Sequence, residues 1–114
     1  MELLIITADT NDADYITQQI YIKDEKELAE IKRILSIIKT KTNQLVKKGP
    51  NRHNWPTSDY SQDTVGALYK GKLNEGEIEW FNQYVPYGEF GIHTIVSAIM
   101  YHVEKEEKLF EFVR

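Results

Sequence analysis

The chain has no cysteine among its 114 residues. That absence excludes disulfides, thiolate catalysis and cysteine-ligated zinc, and it is compatible with a reducing compartment. Proline occurs only at positions 50, 56 and 86. No apolar run approaches the roughly 20 residues of a membrane-spanning helix. The opening Leu3-Leu4-Ile5-Ile6 run is short and follows an acid, Glu2, where a secretory signal would carry a basic region. Fourteen Lys and Arg against eighteen Asp and Glu leave a net charge of -4, which argues against bulk electrostatic binding of nucleic acid. A soluble cytoplasmic protein without membrane association is expected.

What is present describes one compact domain. A hydrophobic fraction of 41% with 28% charged residues is ordinary for a globular chain and too apolar for a disordered one. At this length a real core forms without metal or disulfide staples. Leu3 to Ala8 reads as a strand buried on both faces, Asp9 to Asp14 as a polar connection, and Tyr15 to Ile22 as a second strand. In the second strand Ile16, Ile20 and Ile22 share one face, and Tyr15, Thr17, Gln19 and Tyr21 share the other. Asp24 and Glu27 form an Asp-x-x-Glu capping box. Leu28, Ile31, Leu35 and Ile38 then recur at helical spacing, predicting a helix from about residue 25 to the mid-forties. Lys47-Lys48-Gly49-Pro50 marks its end.

Residues 50 to 72 are irregular in pattern, with Thr64 to Tyr69 readable as strand or helical turn. A second capping motif, Asn74 with Glu77, opens a helix through Tyr84. Ile92 to Val103 reads as a long strand that turns at 104–107 into Leu109 to Val113. The expected fold class is therefore α+β, an antiparallel β-sheet with element order ββααββ and two helices on one face. Ile92 to Val103 is apolar on both faces, which predicts a homodimer or higher symmetric assembly.

Eight of the thirteen aromatic residues, and all three prolines, lie between residues 50 and 93. Asn51-Arg52-His53-Asn54-Trp55-Pro56-Thr57-Ser58-Asp59-Tyr60 and Trp80 through His93 are the dense segments. Aromatics beside proline, glycine and polar groups suit a rigid, partly wet surface. From Ile31 to Ser58 there is no acid, while Lys32, Arg33, Lys39, Lys41, Lys47, Lys48 and Arg52 supply half of the chain's positive charge. This strip faces an anion or is simply a solvated helix face.

No catalytic or metal set stands out. His53, Asp59, Glu89 and His93 could do acid–base work, but their spacing has no diagnostic pattern; caps and turn hydrogen bonds account for the histidines equally well. His102 reads as packed or interfacial. Asp9, Asn11, Asp12 and Asp14 lack the ligand alternation, turn glycine and closing Glu of a calcium loop, so a hairpin connection is expected. Gly88 and Gly91 lack phosphate-cradling spacing and read as turn glycines. The residues assigned to ligand binding are Arg52, His53, Asn54, Trp55, Asp59, Tyr60, Trp80, Phe81, Tyr84, Tyr87, Glu89 and His93. No catalytic residue, metal or cofactor is assigned. Trp80 and Phe81 cannot both point inward on one narrow stripe, so at least one should border the surface.

Asn11-Asp12-Ala13-Asp14-Tyr15, His53-Asn54-Trp55-Pro56 and the run from Trp80 to Ile95 resemble small proteins of phages and prophages of low-GC Gram-positive bacteria. In general character the chain is also similar to anti-defence proteins that sequester immune signals, such as the Thoeris anti-defence sponges for cyclised ADP-ribose. The resemblance gives no individual residue a role. It implies a protein in the cytoplasm of a bacterial host that captures a small anionic nucleotide-like ligand without turnover. A small hydrolase or phosphodiesterase using His53 or His93 with a carboxylate remains the alternative, as does a protein inhibitor docking on a host defence enzyme.

Overall fold

The computed structural model describes residues 1–10, 14–48, 72–86 and 91–113, without the side chains of 41–48 and 93. The readings made for 11–13, 49–71 and 87–90, including the strand-or-helix alternative at Thr64 to Tyr69, lie outside the described residues. Among the described residues the strands are β1 (Glu2–Asp9), β2 (Tyr15–Ile22), β3 (Ile95–His102) and β4 (Glu107–Val113), and the helices are α1 (Glu25–Lys48) and α2 (Glu75–Phe81). The fold is α+β. Its four strands form one antiparallel sheet in the order β2-β1-β3-β4. Both helices fall between β2 and β3 in the chain.

Period-two alternation sets which face of the sheet is dry. Leu4, Ile6 and Ala8 of β1 are fully buried, and Leu4 pairs with Met100 and Ile6 with Ala98 of β3, both also fully buried. Leu3, Ile5 and Thr7 on the opposite face are only partly buried, so β1 is not the doubly buried strand expected, the helical residues of the core packing on one face alone. Phe112, opposite Ala98, and Ile22 extend this face into the outer strands. Ile31, Ile34, Leu35 and Ile38 of α1 and Phe81 of α2 join it in a single core. Each fully buried Leu or Ile contributes about 1.5–3 kcal/mol against exposure, so this packing carries most of the fold's stability. The helix α1 touches both outer strands, β2 and β4.

Local chemistry sets the ends of the elements. Asp24 accepts a hydrogen bond from the Lys26 N–H at 2.8 Å, capping α1. Glu27, expected to complete a box with Asp24, instead accepts from the Tyr84 hydroxyl. The box at α2 is complete: Glu77 N–H donates to Asn74 Oδ1 at 2.8 Å, and Asn74 N–H donates to Glu77 Oε1 at 3.1 Å. That helix does not run to Tyr84. It ends at Phe81 and tightens into a 3₁₀ turn at Asn82–Tyr84, because Val85 must be extended ahead of Pro86.

The strand predicted from Ile92 begins only at Ile95. Gly91 has φ 75°, a conformation suited to glycine, and its carbonyl accepts from both the N–H (3.3 Å) and the hydroxyl (2.8 Å) of Thr94. These bonds close a 3₁₀ turn over Ile92–Thr94. The β3–β4 connection, residues 103–106, has Glu106 at φ 53°. Here β4 starts at Glu107, two residues before the expected Leu109.

Candidate functional site

The described part of the aromatic region is built where α2 meets the N-terminal half of α1. Three rings, Trp80, Phe81 and Tyr84, come from α2 and the turn that follows it. Trp80 and Tyr84 meet edge to face with centroids 5.4 Å apart, and Phe81 and Tyr84 are tilted at 5.7 Å. Phe81 is fully buried and Tyr84 is 4% exposed. Neither ring offers a stacking face to a ligand, and both belong to the core. Trp80 is half-buried and packs against that core from its edge. Of the three, it is the ring at the protein surface.

Tyr84 is tied down by its hydroxyl, which donates to Glu27 Oε1. Burial, the hydrogen bond to Glu27 and the nearby negative charges of Glu27 and Asp24 raise its pKa well above the ordinary phenol value. It is a neutral donor in the neutral and mildly alkaline range. Arg33 forms a second link between the helices. Its guanidinium bonds Glu30 on its own helix at 2.9 and 3.2 Å and also pairs with Glu77 of α2. The bond from Arg33 holds the Glu30 carboxyl below its usual range.

These contacts alter the reading of the basic strip. Arg33 is flanked by two carboxylates. Lys39 donates to the Glu111 carbonyl at 2.9 Å and lies 5.5 Å from the centroid of the Phe110 ring, so it fastens α1 to β4. An anion approaching α1 would have to compete with Glu30 and Glu77 for Arg33. In the described residues the strip is thus partly engaged in holding the fold. The backbone of Lys41, Lys47 and Lys48 continues it along α1.

Of the other residues assigned to binding, Arg52, His53, Asn54, Trp55, Asp59, Tyr60, Tyr87 and Glu89 lie outside the described residues. His93 has its backbone in the 3₁₀ turn that leads into β3. His102 sits at the β3–β4 turn, where Nδ1 accepts from the Lys105 N–H at 3.2 Å and lies 3.4 Å from the Glu104 carboxylate. The hairpin reading of the early acidic segment is supported by the Thr10 N–H donating to the Asp14 carbonyl at 2.9 Å.

Sequence reasoning missed the Glu27–Tyr84 and Arg33–Glu77 links, which join residues far apart in the chain. No local spacing announces such pairs. The chain matches no protein-family model, no curated protein and no solved structure. Among the described residues, no helix is long and apolar enough to cross a membrane.

Proposed function

We propose that this protein is a phage-type anti-defence binding protein that captures a nucleotide-derived immune signal, of the cyclised ADP-ribose kind, and holds it without turnover. The reading places it in the cytoplasm of a bacterial host, on a ββααββ frame with both helices on one face of the sheet. The observation that carries it is the acid-free stretch from Ile31 to Ser58, which holds half of the lysines and arginines of an otherwise acidic chain. This stretch runs along α1 and into the His53-Asn54-Trp55 segment. A dinucleotide needs cations for its phosphates, a flat ring for its base and polar groups for its ribose hydroxyls. Lys47, Lys48 and Arg52 supply the first, Trp55 and Trp80 the second, and Asn54, Asp59 and Glu89 the third.

Sequestration makes a thermodynamic demand. Nanomolar capture corresponds to roughly −12 kcal/mol, which a small polar ligand reaches only in an enclosed and preorganised pocket. The test is to incubate the purified protein with cyclised ADP-ribose and related dinucleotides, then to analyse bound and heat-released species by mass spectrometry. Intact recovery of one species in a fixed ratio to protein is expected. Recovery of a hydrolysed product would favour the enzyme built on His53 or His93. Binding of no nucleotide, together with co-purification of a host enzyme, would favour the protein inhibitor.

A further inference from the structure

The two edges of the sheet differ in kind. At one end β4 carries Glu107, Lys108 and Glu111, with a register shift opposite Met100 and Tyr101. Charges and irregularities of this sort discourage pairing with a foreign strand. At the other end β2, Tyr15-Ile16-Thr17-Gln18-Gln19-Ile20-Tyr21-Ile22, has no charge, no proline and no glycine over its eight residues. Its large side chains stand in solvent: Tyr15 is 65% exposed, Tyr21 59% and Ile16 40%. Among the described residues nothing pairs with its outer side. An edge of this composition is a template for another strand.

The hydrogen bonding shows which backbone groups are on offer. The Thr10 N–H bonds the Asp14 carbonyl, and β1 and β2 continue from there in unbroken register, Ala8 opposite Ile16 and Ile6 opposite Gln18. In an antiparallel ladder hydrogen-bonded and non-hydrogen-bonded pairs alternate. The even-numbered residues of β2 therefore turn their amides and carbonyls toward β1. Those of Tyr15, Thr17, Gln19 and Tyr21 point outward.

Residues 15–21 also read nearly the same in both directions: Tyr, Ile, polar, Gln, polar, Ile, Tyr. We propose that β2 pairs antiparallel with β2 of a second copy about a two-fold axis through Gln18, joining two four-stranded sheets into one continuous sheet. In this register Tyr15 faces the partner copy's Tyr21, Ile16 its Ile20 and Thr17 its Gln19, while Gln18 meets its own copy. All four outward-facing residues fall in hydrogen-bonded pairs, and every side chain stays on its own face of the sheet. Because β2 is uncharged, the pairing brings no like charges together. A shift by two residues in either direction leaves some of the outward groups unpaired. The match of the strand to itself is what selects a second copy over an unrelated strand. The inference is independent of the proposed ligand.

The test is sedimentation velocity on the intact chain between about 1 and 100 µM, a span that brackets a micromolar dimer. A shift toward twice the 13.4 kDa protomer mass is expected with rising concentration. Gln19→Pro removes an outward N–H and leaves the ladder to β1 intact, so it should return the protein to monomer. Thr17→Lys with Gln19→Lys sets lysines opposite one another across the axis and should do the same. Thr17→Lys with Gln19→Glu sets Lys opposite Glu and should restore the dimer at least tenfold relative to the double lysine variant. Circular dichroism confirms that each variant is folded. A wild type that stays monomeric overturns the proposal, as does a dimer indifferent to Gln19→Pro and the double lysine change. A lysine–glutamate pair no better than the double lysine overturns the register.

Discussion

Replacing Tyr84 by Phe removes one hydroxyl and keeps the ring contacts with Trp80 and Phe81. What is lost is the hydrogen bond to the Glu27 carboxylate, which ties the turn after α2 to the first turns of α1. A hydrogen bond to a charged group contributes about 1.5–3 kcal/mol. Glu27 is only half-buried, so water can replace part of the bond, and the lower end, about 1.5 kcal/mol, is expected. For a domain of this size that corresponds to a fall in Tm of roughly 5–8 °C. The pH dependence gives a second readout. The folded-state pKa of Tyr84 lies above its unfolded value. Its contribution is therefore complete below the ordinary phenol pKa of about 10 and is lost as pH rises from there toward the folded value. Urea unfolding of wild type and Tyr84→Phe at neutral pH and above pH 10 should show a gap that narrows in alkali. A neutral-pH loss below about 0.5 kcal/mol, or a gap that widens in alkali, would refute the reasoning.

Phe81→Ala should cost about 3–5 kcal/mol in urea unfolding, because the side chain is fully buried, and any loss of binding should follow loss of fold. Trp80→Ala, at the border of the core, should cost less stability and reduce ligand capture in a variant that is still folded. Gly91→Ala places a β-carbon at φ 75° and ψ −172°, a region essentially confined to glycine, and should lower stability by about 1–3 kcal/mol, read from the shift of the denaturation midpoint. Glu106→Gly relieves a left-handed residue in the β3–β4 turn and should raise stability by about 0.5 kcal/mol in the same assay. His53→Ala and His93→Ala should weaken nucleotide capture less than Trp80→Ala does, measured by equilibrium dialysis, since capture requires no proton transfer and loses only a contact.

The sheet was legible where side-chain alternation is regular. The bounds of β2 match the expected Tyr15–Ile22, where Ile16, Ile20 and Ile22 recur on one face, and those of β1, marked by its short unbroken apolar run, differ by one residue at each end. The long helix was legible from Leu28, Ile31, Leu35 and Ile38, with Asp24 at its start. Errors came where a local pattern was overruled by a distant partner or by backbone geometry. Glu27 had the spacing of a capping box but bonds Tyr84 instead. Ile92 to Thr94 have strand-like composition, yet Gly91 begins a 3₁₀ turn that delays β3. In the candidate site, the sequence showed that Trp80 and Phe81 compete for one inward position. It could not show that Phe81 takes that position with Tyr84 beside it. Glu30 and Arg33 stand three residues apart on one helix, a pairing that charge spacing allows, but spacing could not reveal that Arg33 also meets Glu77 or that Lys39 reaches the Glu111 carbonyl.

The central claim is capture without chemistry, and the amount of free ligand over time tests it most directly. Purified protein is mixed with a slight excess of cyclised ADP-ribose, and the unbound nucleotide is quantified over hours. The account predicts an immediate drop, stoichiometric with binding sites, followed by a flat line, with the missing ligand returned intact on heating. No initial drop, or a continuing decline past one equivalent with product appearing, would contradict it.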